Sequence, residues 1–341
     1  MKFSLVVPVY NMEAYLPACL ESVAAQTFGD FEVVFVNDGS TDGSLDICKL
    51  FEGSGLCPVT IVDQENSGLL AARRAGFAVA RGDYLVSLDS DDALHPEALE
   101  EVKRAVDRTR ADVVCYGYSR EMTFQDLLLP PMDADRIYGI REVREIFCST
   151  NKMNAIWFKA IARSCIGLEV DFSPYGRLNM GEDALQSALV FDRAESVYCI
   201  HRSLYFYRPN SQSISSRMGR YYLDDMTKVH ERLVQYAKKW DVESGVDNCT
   251  RLLISRCAEE ISHFALHYAE GFALAEVREA LLEASNAPCI ASCLINPSFL
   301  SHSSVHTRVV VRLLASKRFI FVWLLAQVCE RLKALKGGDG V

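Results

Sequence analysis

Residues 83–92 read DYLVSLDSDD. A short β-branched and aromatic run with one leading charge predicts a strand over Asp83–Leu88 covered on both faces, and Asp89-Ser90-Asp91-Asp92 follows it at once. Carboxylates crowded at a strand end are costly unless a cation or hydrogen-bond donors answer them. A pair of them can share one Mg²⁺ or Mn²⁺ that also binds ligand phosphates. Asp91 is the first choice of metal ligand, Asp89 lies nearer the bound nucleotide, and Asp92 suits either role. The plainer reading is a solvated turn capping a helix that starts near Pro96.

The same strand pattern stands upstream at Phe3–Pro8 (FSLVVP), Phe31–Val36 (FEVVFV) and Pro58–Val62 (PVTIV). Between the strands, Glu13–Ala25, Gly43–Glu52 and Gly68–Ala80 carry helical spacing of apolar residues, such as Tyr15, Leu16, Cys19, Leu20 and Val23. The strand ends recur at intervals of roughly 26 residues, the length of successive βα units in a parallel sheet. Right-handed crossovers point such strands one way, so the residues after each strand gather on one edge, where open α/β sheets bind ligands. Those residues are Tyr10, Asn11 and Glu13, then Asn37–Thr41, then Asp63–Gly68 with Asn66, then Asp89–Asp92. Asp38 offers a carboxylate to a base N–H such as N3–H of uracil, a donor that cytosine lacks. Its surroundings, Asn37 to Ser44, also suit an ordinary turn and helix cap.

Composition sets the outer limits. The chain has 341 residues, 50% apolar and 24% charged, which suits one catalytic-sized domain of about 200 residues plus an appendage. A net charge of −9 gives no general basis for a nucleic-acid partner. No G-x-G-x-x-G follows the first strand and no P-loop occurs, which argues against dehydrogenases and P-loop NTPases. The 12 cysteines are scattered among apolar residues with no C-x-x-C pair, as expected of reduced, buried thiols in a cytoplasmic protein. Asn248-Cys249-Thr250 matches a glycosylation acceptor, but nothing else points to secretion. The first apolar run ends at Pro8, Asn11 and Glu13, too soon for a signal peptide.

Taken together, Val6-Val7-Pro8-Val9-Tyr10-Asn11, Asn37-Asp38-Gly39-Ser40, Glu65-Asn66-Ser67-Gly68 and Asp89-Ser90-Asp91-Asp92 resemble, in order and spacing, the GT-A fold glycosyltransferases of family 2. Gly181-Glu182-Asp183 and Tyr205-Phe206-Tyr207-Arg208 are similar to acceptor-side motifs of that family. The resemblance runs from about residue 2 to 215. It implies an α/β, Rossmann-like nucleotide-diphospho-sugar transferase domain over residues 1–215. The implied reaction is an inverting, metal-assisted transfer from a UDP-sugar to a glycan or lipid-linked acceptor in surface polysaccharide assembly. On the matching positions, Pro8, Tyr10 and Glu13 line the base and ribose, Asp38 reads the base, Asp89 and Asp91 hold ribose and Mn²⁺ or Mg²⁺, and Asp183 is the general base. Asn11, Asn66, Gly68, Arg73 and Ser90 complete the expected nucleotide-sugar contacts, and Trp157, Asp92, Tyr207 and Arg208 the acceptor side.

The chemistry agrees with that division, since inverting transfer needs one base and not the paired carboxylates of a retaining hydrolase. Asp183 opens a helical stretch, Ala184–Asp192, whose dipole helps keep a carboxylate ionised, and Glu182 is the alternative base. Trp157 either stacks on a sugar or fills the core. Where the family commonly has Ala-Arg-Asn, this chain has Ala72-Arg73-Arg74, which leaves donor contacts from that helix open. The Gln-x-x-Arg-Trp motif of processive synthases is absent, so single-sugar addition is expected. An inactive scaffold of the same fold is the alternative, and the presence of every expected acid favours the enzyme.

Beyond the resemblance, residues 216–300 read as a helical appendage, with amphipathic helices over 217–285 that pack on the catalytic domain or on a second copy in a homodimer. His263 and His267 have the i, i+4 spacing of a metal pair but lack the protease glutamate, so they read as ordinary helix residues. Residues 301–341 form a basic, apolar tail. From His302 onward seven basic residues stand against two acidic ones, a net of +5, which leaves −14 on residues 1–301. Its longest charge-free run, Phe319–Cys329, spans roughly 17 Å as a helix, short of a hydrocarbon core of about 30 Å. The tail is therefore expected to lie at an anionic membrane surface with Trp323 inserted, making the protein peripheral on the inner face of the cell membrane, or else to pack in the core.

Overall fold

The computed structural model describes residues 1–133, 135–209, 222–267 and 304–322, together with residues 281, 282, 286, 324, 325 and 328. The chain forms two compact units, residues 1–211 and 212–341.

The first unit is built on a nine-stranded sheet. Strands β1 (Phe3–Val9), β2 (Phe31–Asp38), β3 (Val59–Gln64) and β4 (Tyr84–Ser87) are parallel, with β1 between β2 and β4 and β3 outside β2. Every residue of β1, β2 and β4 is buried, whereas β3 is half-buried at the edge. Near-continuous apolar runs are what burial on both faces requires. Helices α1 (Leu16–Ala24), α2 (Ser44–Gly53) and α3 (Leu69–Val79) cross between these strands. Helix α1 starts later than its apolar spacing suggested, with Pro17 in the first turn where its missing N–H costs nothing.

Helix α3 lies unusually close to the sheet. A Cβ on Gly76 would stand 2.4 Å from Val6 Cγ1 and 2.9 Å from Val36 Cγ2, so only glycine permits this approach. One turn earlier, the same approach buries Arg73, which is 1% exposed.

Past β4 the pattern changes. Antiparallel β8 (Lys159–Ala162) sits between β4 and β6 (Val113–Ser119), and β9 (Ser196–Phe206) runs parallel to β6. The end of β9 is paired by β5, the two residues Ala93–Leu94, in the register Ala93↔Phe206 and Leu94↔Tyr205. Because β5 begins directly after Asp92, this short ladder carries the Asp89–Asp92 turn against Tyr205–Arg208. The turn therefore leads into a strand, and helix α4 begins later, at Ala98, running to Thr109. Strand β7 (Ile137–Gly139) adds to β9, and α5 (Ile140–Ser149) and α6 (Glu182–Arg193) complete the unit.

In the second unit, α7 (Tyr222–Lys239) and α8 (Gly245–His267) pack together, and α9 (Val305–Ala315) packs on α8 through Thr307, Val310, Val311 and Leu314. Tyr236 and Trp240 stack at 5.3 Å where α7 ends. His230 meets the Thr250 hydroxyl at 3.1 Å, and burial lowers its pKa to about 4. Thr250 is itself buried within α8, which leaves the Asn248-Cys249-Thr250 match inside a helix. The described cysteines are all free, and all but Cys57 are buried. Among the described residues no helix is long and apolar enough to cross a membrane. The side chains of His263 and His267, and Trp323, lie outside the described residues.

Candidate active site

Gly181 adopts φ +86°, a left-handed turn open to glycine, and delivers Glu182 and Asp183 into the first turn of α6. From the other side, β4 ends at Ser87 and Asp89 follows two residues later. Arg73, from the first turns of α3, fills the space between them. Its Nη2 donates to Asp89 Oδ1 at 2.8 Å and Oδ2 at 3.1 Å, and its Nη1 donates to Asp183 Oδ1. Burial works against the guanidinium charge, but Asp89, Asp183 and Glu182 outweigh it and push the Arg73 pKa above its ordinary value.

The acids respond unequally. Desolvation in the cleft, with Asp183 alongside, pushes Glu182 up to about 8. Desolvation also raises Asp183, but there Arg73 opposes the shift directly. Burial thus pushes both carboxyls up and Arg73 draws both back, holding Asp183 through a direct hydrogen bond. Behind α6, fully buried Lys159 donates to Met153 O at 2.9 Å, to Ala155 O and to Ser187 Oγ at 3.2 Å, and burial lowers its pKa to about 8. Ser187 Oγ in turn donates to Asn154 O at 2.6 Å, which ties the 153–159 segment to α6.

The Asp89–Asp92 turn is clamped by the end of β9. Tyr205 Oη donates to Asp92 Oδ2 at 2.7 Å and accepts from Asp89 N at 3.2 Å. Arg208 N donates to Asp92 Oδ1 at 2.8 Å and Arg208 Nε to Asp91 O at 2.6 Å. Both oxygens of Asp92 are thus committed to the protein, and burial followed by Asp89 and Asp91 raises its pKa far above the carboxylate range. Asp92 and Arg208, expected at the acceptor side, hold the turn. Trp157 is 8% exposed, stacked on Tyr205 at 4.7 Å and Tyr207 at 5.3 Å with Tyr118 edge-on, so its ring is enclosed among aromatics rather than presented to a sugar.

On the nucleotide side, Asn11 Oδ1 accepts from Thr41 N at 2.8 Å and Glu13 Oε2 from Gly43 N at 2.9 Å, which stitches the loop after β1 to the loop after β2. Tyr10 remains 42% exposed at this edge, while Pro8 and Ser90 are buried. Asp38, expected to read a base, accepts from Gln64 Nε2 at 2.7 Å, Ser67 N at 2.8 Å and Gly68 N at 2.8 Å. Its acceptor positions are largely spent on holding the 64–68 loop. In that loop the side-chain amide of Asn66 has both polar atoms buried without a hydrogen-bond partner among the described residues. Two buried polar atoms left unmatched cost about 1–3 kcal/mol each, a deficit that a bound ligand can remove.

Several residues of the site escape a reading of the sequence. Arg74, the departure from the family pattern, points away from the cleft and donates to Leu168 O at 2.8 Å and Val170 O at 2.7 Å while covering the Phe172 ring. It anchors the segment that leads to Glu182 and Asp183. Arg177 lies across Gly68 at the start of α3, its Cγ 3.2 Å from where a Cβ would stand. Tyr205 was legible only as part of a motif, and its hydroxyl proves to be the link between Asp89 and Asp92.

Among the described residues no three histidine, cysteine or acidic side chains converge as a ready-made metal cage. The donor set still fits a divalent cation of the magnesium type, which is usually held by one or two carboxylates with the rest supplied by phosphate and water. Asp91 is partly exposed at the tip of a clamped turn, and Asp89 adjoins it.

A mixed sheet whose parallel strands end at one polar edge, with an acidic turn joined to a carboxylate at a helix start, is the architecture of a GT-A nucleotide-sugar transferase. The sequence profile of Glycosyl transferase family 2 matches residues 4–160. Glycosyltransferase GlyG of Streptococcus pneumoniae serotype 4 is 32% identical over 222 residues, covering 62% of this chain and 72% of GlyG. Glycosyltransferase GlyA of the same organism is 33% identical over 224 residues, 63% of this chain but only 31% of GlyA, so the chain spans about a third of that relative. Among solved structures, Staphylococcus aureus TarS 1–349 in complex with UDP-GlcNAc superimposes with a TM-score of 0.67 at 18% identity, covering 97% of this chain and 92% of that one. The chain belongs to glycosyltransferase family 2.

Proposed function

We propose that the protein transfers a single sugar from a UDP-sugar to a hydroxyl of a glycan or lipid-linked acceptor, with inversion and with Asp183 as general base, in surface polysaccharide assembly in the cytoplasm. The observation that carries this reading is the Arg73 bridge, which places the base candidate and the acidic turn on opposite sides of one buried guanidinium. Asp183 takes the proton from the acceptor hydroxyl as the hydroxyl attacks the anomeric carbon. Arg73 keeps that carboxylate oriented and opposes its protonation. The clamp from Tyr205 and Arg208 presents Asp91 and Asp89, which would hold Mn²⁺ or Mg²⁺; when bound, the cation neutralises the diphosphate leaving group.

A base with an N–H beside a carbonyl, as uracil has at N3–H and unlike cytosine, suits the unmatched Asn66 amide, which offers one acceptor group and one donor group. Tyr10 offers an exposed ring for stacking at the same edge. TarS, which shares the fold, binds UDP-GlcNAc. A panel of UDP- and GDP-sugars, incubated with Mn²⁺ and scored for release of nucleotide diphosphate, tests the reading. Release from one or more UDP-sugars, abolished by chelator and insensitive to GDP-sugars, is the expected result. No release from any donor, with or without metal, would favour the scaffold.

A further inference from the structure

The basic tail presents an apolar face with a specific charge environment. Residues 319–322 are helical, and Ile320, Phe321, Leu324 and Val328 are 55%, 51%, 44% and 53% exposed. Ile320 and Phe321 are adjacent on the described helical turn whose Val322 is fully buried, and Leu324 and Val328 stand at i+4 and i+8 from Ile320, the spacing of one helical side. Helix α9 behaves the same way: Val310, Val311 and Leu314 are buried toward α8, and Val305 and Val309 point outward at 67% and 37% exposure. Lys317 and Arg318 are exposed directly before the apolar side chains, and Arg312 is exposed on α9. From Ser304 to Val328 the sequence contains no aspartate or glutamate, although the chain as a whole carries −9.

We propose that this face docks on an anionic lipid surface, with Ile320, Phe321, Leu324 and Val328 entering the headgroup region and Lys317 and Arg318 meeting lipid phosphates. An apolar stripe bordered by basic side chains is the pattern of a helix lying in the interface plane. Each basic group near an anionic leaflet contributes about 1 kcal/mol of attraction. A second copy of the chain is a poor occupant, because a two-fold seam through this face would bring Lys317 and Arg318 of both copies together with no acid nearby to answer them. A water-facing role would leave a contiguous apolar stripe uncovered, which soluble surfaces rarely tolerate. The charge-free run is too short to span, so the face rests on the membrane and does not cross it.

Co-sedimentation of the full chain with phosphatidylcholine vesicles, with and without phosphatidylglycerol, tests this. Binding only to the anionic vesicles, weakening as salt rises, is expected. Lys317→Gln and Arg318→Gln should each lower the partition coefficient about fivefold, and Phe321→Asp with Leu324→Asp should abolish it. Melting temperature and donor hydrolysis serve as checks that each variant is folded. Equal binding to both vesicle types, or none to either, overturns the proposal. So does a dimer in light scattering that Phe321→Asp with Leu324→Asp dissociates while vesicle binding is unchanged.

Discussion

Arg73 and Asp183 are joined as an ion pair across the cleft, and the same guanidinium holds both oxygens of Asp89. One buried cation thus sets the distance between the carboxylate at the start of α6 and the acidic turn after β4. Arg73→Met should remove that tie and leave two facing acids unanswered. Breaking a buried pair of this kind costs about 3 kcal/mol, readable as a shift in urea midpoint, and transfer should be lost with it. Arg73→Lys keeps the charge but not the two-armed fork, so it should recover stability more than activity. A lysine variant with full activity would show that only charge is needed.

Glu182 and Asp183 should separate by pH. Burial and the neighbouring Asp183 push the Glu182 pKa up, so Glu182→Gln, which resembles the protonated acid, should keep most of the activity at pH 7, whereas Asp183→Asn should bind UDP and transfer nothing. Stability gives an independent reading. A carboxyl whose folded pKa lies above its unfolded one binds more protons when folded, so its contribution is present below the unfolded pKa and lost as pH rises through about 8. Wild type should therefore lose stability relative to Glu182→Gln between pH 5 and pH 8. Parallel urea curves at both pH values would mean that Glu182 is ionised throughout.

Much of the nucleotide half can be read from the chain. Strands covered on both faces leave near-continuous apolar runs, and β1, β2 and β4 lie within a few residues of their expected bounds. The other half is less legible for a physical reason. The ladder of Ala93–Leu94 with Tyr205–Phe206 is two residues long and closes over more than a hundred, so no local period announces it. Antiparallel β8, inserted between β4 and β6, is likewise set by neighbours distant in sequence. Side-chain roles followed the same division. The acids stood out by type and place, but that Asp92 and Asp38 spend their oxygens on protein donors, and that Arg73 turns inward while Arg74 turns outward, depends on tertiary contacts.

Asn66 and Asp38 should respond in opposite directions. Asn66→Leu removes two unmatched buried polar atoms, so the ligand-free protein should melt no lower than wild type while UDP affinity falls. Asp38→Ala strips the acceptor from three donors and should destabilise the 64–68 loop on the scale of about 1.5–3 kcal/mol, weakening UDP only through that loop. Thermal melts paired with UDP calorimetry separate the two. If Asp38→Ala melts like wild type and loses UDP, the aspartate itself reads the base.

The hydroxyl of Tyr205 should govern how well the acidic turn receives its cation. Among the described residues it is the group that reaches both Asp89 N and Asp92 Oδ2, from a strand fixed by pairing with β5. Tyr205→Phe keeps the ring against Trp157, so the aromatic cluster survives, while one donor to Asp92 and one acceptor for Asp89 vanish. The stability cost should stay within about 1–3 kcal/mol. The larger effect should fall on metal use, because loss of a group that orients metal-holding residues typically weakens metal affinity by about 10- to 100-fold. Donor hydrolysis titrated with Mn²⁺ should then show a half-saturating concentration raised at least about tenfold, with activity approaching wild type at excess metal. An unchanged Mn²⁺ midpoint together with a lower melting temperature would restrict Tyr205 to holding the fold, and would place the metal away from the Asp89–Asp91 turn.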